Sequence, residues 1–239
     1  MDRASPTRRP EGENAGTQRW RDLLFMHWPV PVELVRPLIP ERLSLDLHEG
    51  QLYVGLVPFS MMEVAPSWLP GALAQDFLEC NLRTYVHLDG EGPGVWFFSL
   101  EAASWLAVHA ARAGWGLPYH HAAMTSVQDR GHRVYETVRR GGGDPRLMVR
   151  YSVGEYLGPS QPETLEYFLL ERYLLYSARG GRLQRGQVHH SPYPAHRAVV
   201  HEVVDQLMPA AGLPAQRDAP PLVHFSPGVD VEVFALEHV

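Results

Sequence analysis

A chain of 239 residues, 45% hydrophobic and 20% charged, with a formal net charge of −6, has the composition of a globular protein long enough to bury a core. The acidic balance excludes a general nucleic-acid binder, whose affinity would come from a basic surface. A lone cysteine, Cys80, excludes a disulfide framework and a multi-thiolate metal site; with no apolar run near the ~20 residues of a membrane span and no apolar signal core, the expected location is the cytoplasm, with no membrane partner.

Residues 1–18 are rich in Arg, Pro, Glu, Gly and Thr and read as a flexible arm before a single domain over 19–239. Bulky apolar residues begin at Trp20, and Pro29 and Pro31 break that segment. Val32 to Ile39 has the spacing of a short helix. Strands are expected at Leu43–Leu47 and Leu52–Phe59, joined as a hairpin by Glu49-Gly50. Phe77–Val86 and the apolar run Val95–Leu100 are the next strands, with a glycine-rich turn between them. Ser104 to Trp115 reads as a helix, stopped by Gly116 and Pro118. Strands follow at Ala122–Gln128, Arg133–Arg139 and Leu147–Val153. Ser160 and Glu163 have capping-box spacing, with Pro162 in the first turn of a helix running to about Tyr173. The tail holds strands near Val199–Val204, Leu222–Phe225 and Val229–Phe234.

Strands dominate and do not alternate with helices, so a doubly wound sheet is not expected. Many strands joined by tight turns predict a mostly antiparallel closed or curled sheet, flanked by two or three helices, with room inside for a small molecule. The segment FLECNLRTYV (Phe77–Val86) gives that interior a chemistry. Alternation sets Glu79, Asn81, Arg83 and Tyr85 on one face and Cys80, Leu82, Thr84 and Val86 on the other. An acid, an amide, a guanidinium and a phenol on one face suit a small polar ligand, although a solvated face with an ion pair has the same pattern. There is no GxGxxG, P-loop, GxSxG or HExxH motif. Adjacent histidines on a strand point to opposite faces, so neither His120-His121 nor His189-His190 chelates an ion by itself; no metal and no cofactor are expected.

HWPV (His27 to Val30), VGLVPFSM (Val54 to Met61), FLECNLRTYV, PGVWFFSLEA (Pro93 to Ala102), GLPYHHAAM (Gly116 to Met124), TLEYFLLERYLLY (Thr164 to Tyr176) and VHHSPYP (Val188 to Pro194) together resemble the YqjF-like family of uncharacterised bacterial proteins. The resemblance runs in order from about Trp20 to the C-terminus. It implies an α+β, mostly β, acetoacetate decarboxylase-like fold: a cone-shaped closed antiparallel β-barrel with a flanking sheet and two or three helices around a buried cavity.

Acetoacetate decarboxylase carries a G-x-P-K-K segment whose lysine forms a Schiff base. The similar segment here is GLPYH, Gly116 to His120, and the chain has no lysine: its 21 basic residues are all arginine. Arginine stays protonated and cannot condense with a ketone, so Schiff-base decarboxylation is excluded.

The remaining residues give the expected catalytic set. Glu79 is similar in context to the strand glutamate of the decarboxylase cavity. Arg83 can bind a carboxylate, Tyr119 can donate to a developing oxyanion and His120 can transfer protons near neutral pH. His27, Asn81, Tyr85, Ser99 and Glu101 are the expected substrate-binding lining. Plainer alternatives are an internal Glu79–Arg83 ion pair, a packing role for Tyr119 and turn-capping histidines. Two functions stay open: a lyase- or hydratase-type enzyme acting on a small oxo or hydroxy acid by proton transfer, and a non-catalytic binder of a small carboxylate or aromatic metabolite. Homo-oligomerisation is left open.

Overall fold

The computed structural model describes residues 1–216 and 218–239. Its strands in chain order are β1 (Gly16–Val30), β2 (Leu43–Leu45), β3 (Leu52–Pro66), β4 (Gln75–Leu88), β5 (Glu91–Ala102), β6 (Tyr119–Asp129) and β7 (His132–Arg139). They continue with β8 (Arg146–Gly158), β9 (Leu174–Arg179), β10 (Arg182–His189), β11 (Ala195–Asp205), β12 (Leu222–Val233) and β13 (Glu237–His238). The α-helices are α1 (Val32–Val35), α2 (Trp105–Trp115), α3 (Leu165–Leu170) and α4 (Leu207–Ala210). Among the described residues no helix is long and apolar enough to cross a membrane.

The strands close into two rings that share a wall. One ring runs β1-β3-β4-β5-β9-β10-β12 and returns to β1. It closes through a short parallel contact of Gly94–Trp96 with Leu174–Tyr176 and through Val188 and His189 against Val233 and Glu232. The other leaves β5 through β6, β7, β8 and β11 and rejoins at β12. The shared strands are therefore buried on both faces, which is why β3 opens with an unbroken apolar run and why β4 is buried from Glu79 to Val86. One face of the wall carries Leu23, Phe25, Val57 and Phe59 into the first ring. The other carries Leu24, Met26, Leu56 and Leu82 toward Tyr135, Val149 and Tyr151 of the second.

The antiparallel pairing of β4 with β5 follows the sequence expectation. Helix α2 does too: the Ser104 hydroxyl accepts from the Ala107 amide at 3.2 Å, and Gly116 ends the helix with φ +63°. Three local expectations are corrected. Leu43–Leu45 pairs with β4, not with β3, and Glu49-Gly50 closes only a His48–Gln51 bridge. Glu163 adopts φ +71° and cannot enter a helix, so Thr164 caps α3 by accepting from the Tyr167 amide. That helix stops at Leu170 because the following residues are drawn into β9, between β5 and β10.

The first fifteen residues lie against the domain through polar contacts. The Arg3 guanidinium reaches the Asp46 carboxylate at 2.5 Å, Arg9 reaches Glu232 at 2.7 Å, and the Gln187 amide donates to Pro6 O at 2.9 Å.

Candidate functional site

The first ring encloses a cavity of about 160 Å³. Alternation along β4 brings Glu79, Asn81 and Arg83 onto its wall, and Tyr119 enters from the start of β6. Phe25, Phe59, Phe97, Trp115 and Tyr193 supply much of the apolar remainder.

Glu79 is 3% exposed, and the Tyr119 hydroxyl donates to its Oε2 at 2.7 Å. Burial, only partly opposed by that hydrogen bond, pushes its carboxyl up to about 8. Glu79 therefore holds its proton at neutral pH. Arg83 is 8% exposed and does not pair with Glu79 or with any other carboxylate among the described residues. Its Nη2 donates to the Leu169 carbonyl at 3.1 Å, its guanidinium lies over the Phe25 and Tyr85 rings, and its Nε has no partner. The Glu79–Arg83 ion pair that the strand pattern allows is absent, because four residues of extended chain keep the two groups apart.

A second guanidinium, missed in the sequence, lines the same cavity. Arg172 follows α3; its Nε donates to Phe168 O at 2.7 Å and its Nη1 reaches Asp46 at 2.9 Å. Asp46 is shared with Arg3, and burial lowers Arg172 to about 10. Its Nη2 has no partner, and neither does Asn81 Oδ1. The available signal was a charged residue placed on the apolar side of a helix, in register with Leu165, Phe168 and Leu169.

Other expected lining residues lie elsewhere. Phe98 is bulged out of the β4–β5 register, since Leu82 faces Ser99 while Arg83 faces Phe97. The alternation of β5 is reversed there, so Phe97 and Leu100 line the cavity. Ser99 and Glu101 turn to the other side, where Glu101 pairs with Arg139 at 2.5 Å and accepts from the Ser99 hydroxyl at 3.3 Å. His120, next to Tyr119 on a strand, also points away from the cavity. It is half-buried, and burial together with Arg139 and Arg112 lowers it to about 4. His27 and Tyr85 sit beyond Arg83 in packed core. Their 2.7 Å contact joins Nε2 to the phenol oxygen, and the phenol donates to Leu169 O at 2.8 Å, so both are turned from the cavity. His190 packs behind the lining, stacked on Tyr173 at 4.4 Å with its Nδ1 on Ser191 O.

The comparisons with known proteins fit this architecture. A family model described as an uncharacterized conserved protein, DUF2071, matches residues 17–230. The uncharacterized protein YqjF of Bacillus subtilis (strain 168) is 35% identical over 225 residues, covering 93% of this chain and 91% of the relative. Among solved structures, acetoacetate decarboxylase from Legionella pneumophila superposes with a TM-score of 0.65 at 14% identity, over 97% of this chain and 91% of that one. The enduracididine biosynthesis enzyme MppR complexed with pyruvate gives 0.64 at 13% identity, over 95% and 91%. At that level of identity the likeness is one of fold. The chain belongs to the DUF2071 family, to which the YqjF likeness also points, and has an acetoacetate decarboxylase-like fold.

Proposed function

We propose that this protein is a lyase- or hydratase-type enzyme that anchors an oxo or hydroxy acid by its carboxylate and transfers a proton through Glu79. The observation that carries the reading is a set of polar residues lining one cavity, each with a buried atom left unpartnered: Arg83 at Nε, with no counter-charge, Asn81 at Oδ1 and Arg172 at Nη2. A buried guanidinium without a counter-charge is costly, and a ligand carboxylate supplies both the charge and the acceptors. Glu79 gives the site a proton-transfer group with a pKa near the working pH, where acid–base catalysis is most effective. Its carboxylate form removes a proton from a carbon next to the carbonyl. The C–H electrons form the enolate double bond, the carbonyl π electrons move onto oxygen, and the Tyr119 hydroxyl stays on the Glu79 oxygens throughout. With no lysine in the chain, no covalent amine takes part. Solved proteins of this fold include one complexed with pyruvate, which is in keeping with an oxo-acid ligand.

The non-catalytic reading is favoured by one fact: Glu79 is the sole carboxyl or imidazole lining the cavity among the described residues. Deuterium exchange into oxo acids in D2O, followed by NMR beside equilibrium binding, separates the two. The expected exchange rate rises with pH to a plateau above about 8 as Glu79 ionises. Glu79→Gln should lower it by about 10²–10⁴-fold while leaving acid binding in place, and Arg83→Met should weaken that binding at least tenfold. Binding without exchange would leave a carrier of small carboxylates. Binding indifferent to Arg83→Met would sink the anchor itself.

A further inference from the structure

The two polar ends of the cavity stand too far apart for a three-carbon acid. We propose that the ligand is an extended oxo acid, with an aromatic ring or an equivalent apolar spacer between the anchored carboxylate and a remote carbonyl placed beside Glu79. This rests on the carboxylate reading of Arg83 and Arg172 and adds the length and shape of the molecule.

The distance comes from the strand. Glu79 and Arg83 are four residues apart on β4, with Asn81 between them on the same face, which separates their Cα atoms by about 13 Å. The Arg83 guanidinium lies over the Phe25 and Tyr85 rings and donates to Leu169 O. Glu79 is held instead by Tyr119. Allowing a hydrogen bond of about 3 Å at each end, a molecule touching both groups carries its polar ends roughly 7 Å apart. A three-carbon oxo acid has its carboxylate and carbonyl on adjacent carbons and spans well under that. If its carboxylate sits on Arg83, its acidic C–H lies out of reach of Glu79.

The rest of the lining is largely apolar. Phe25, Val57, Phe59, Phe97 and Leu100 line the cavity along with Asn81, whose Oδ1 has no partner. The volume of about 160 Å³ holds about one aromatic ring, as a cavity of ~150 Å³ accepts benzene. Length, walls and volume agree on a single ring or an acyl chain of similar reach, flanked by two oxygen-bearing groups. The group remote from the carboxylate is the one that reacts: a methyl or methylene beside the far carbonyl gives its proton to Glu79.

Three probes of known shape test this by calorimetry on the full chain: 4-acetylbenzoate, 4-isopropylbenzoate and pyruvate. The first two share ring and outline and differ in the far oxygen. The third keeps the oxo acid and removes the length. The expected Kd for 4-acetylbenzoate is at least tenfold below that of either competitor. Glu79→Leu, which fills the same space with an apolar group, should erase its advantage over 4-isopropylbenzoate and keep the one over pyruvate. Pyruvate binding as tightly as 4-acetylbenzoate, and still weakened by Arg83→Met, would overturn the extended ligand and leave the carboxylate anchor standing. Binding of all three acids unaffected by Arg83→Met would overturn the anchor and the extended ligand together.

Discussion

Glu79 keeps its proton because the cavity wall gives it one hydrogen-bond donor and no cation. An unfolded glutamate ionises near 4.5, whereas the folded one holds on to about 8. Between those values the native state binds the extra proton, so stability falls as pH rises through the interval and is level above it. Glu79→Gln keeps the shape and removes the titration. The variant should match the wild type near pH 4 and exceed it at pH 7 by on the order of 3 kcal/mol in urea unfolding. Equal stability at pH 7 would mean that Glu79 is already ionised in the native protein. Legibility at this scale was uneven. The alternation of β4 was enough to set Glu79, Asn81 and Arg83 on one wall, and Tyr119 arrived with them. Arg172 was hidden in a segment whose sequence reads as an apolar helix face but which lies beyond the end of α3. Ser99 and Glu101 were misplaced because VWFFSL is apolar on both sides and nothing in it marks the extra residue at Phe98.

One of the two short seams of the cavity ring lies between β5 and β9, a parallel contact of three residues on each strand. Gly94 makes it: a Cβ there would stand 2.7 Å from Leu174 O and 3.0 Å from Leu174 Cβ, a clash that backbone movement alone can relieve. Gly94→Ala should cost roughly 1–3 kcal/mol by overpacking and loosen the seam specifically. Amide exchange should then quicken at Gly94–Trp96 and Leu174–Tyr176 and stay unchanged across β7 and β8; uniform quickening would argue for global destabilisation instead. Strands β9 and β10 were the elements least visible in the sequence. TLEYFLLERYLLY has helical periodicity throughout, and only nonlocal pairing with β5 and β10 ends the helix at Leu170. Helix α2 was legible because its stop and start signals are local: Ser104 before it and a left-handed Gly116 after it.

Over the whole molecule, the absence of lysine leaves the N-terminal amine as the sole amine in the chain. Borohydride added with a β-keto acid should therefore leave every internal peptide at its unmodified mass; a trapped adduct on any of them would contradict the chemistry derived for the cavity. The closed, strand-rich architecture was readable because period-2 segments and tight turns recur along the chain. That the barrel wall serves two interiors was not readable, since alternation shows that a strand has two faces but not what covers each. This double use has a consequence for how the chain avoids error. Shifting β4 by one residue against its neighbours would push Cys80, Leu82 and Thr84 into the cavity, where they would be tolerated. The same slip would drive Glu79, Asn81 and Arg83 into the apolar packing around Leu56, Val149 and Tyr151, where nothing could satisfy an amide, an acid and a guanidinium. The polar residues that equip the site thus also proofread the register of the strand that carries them.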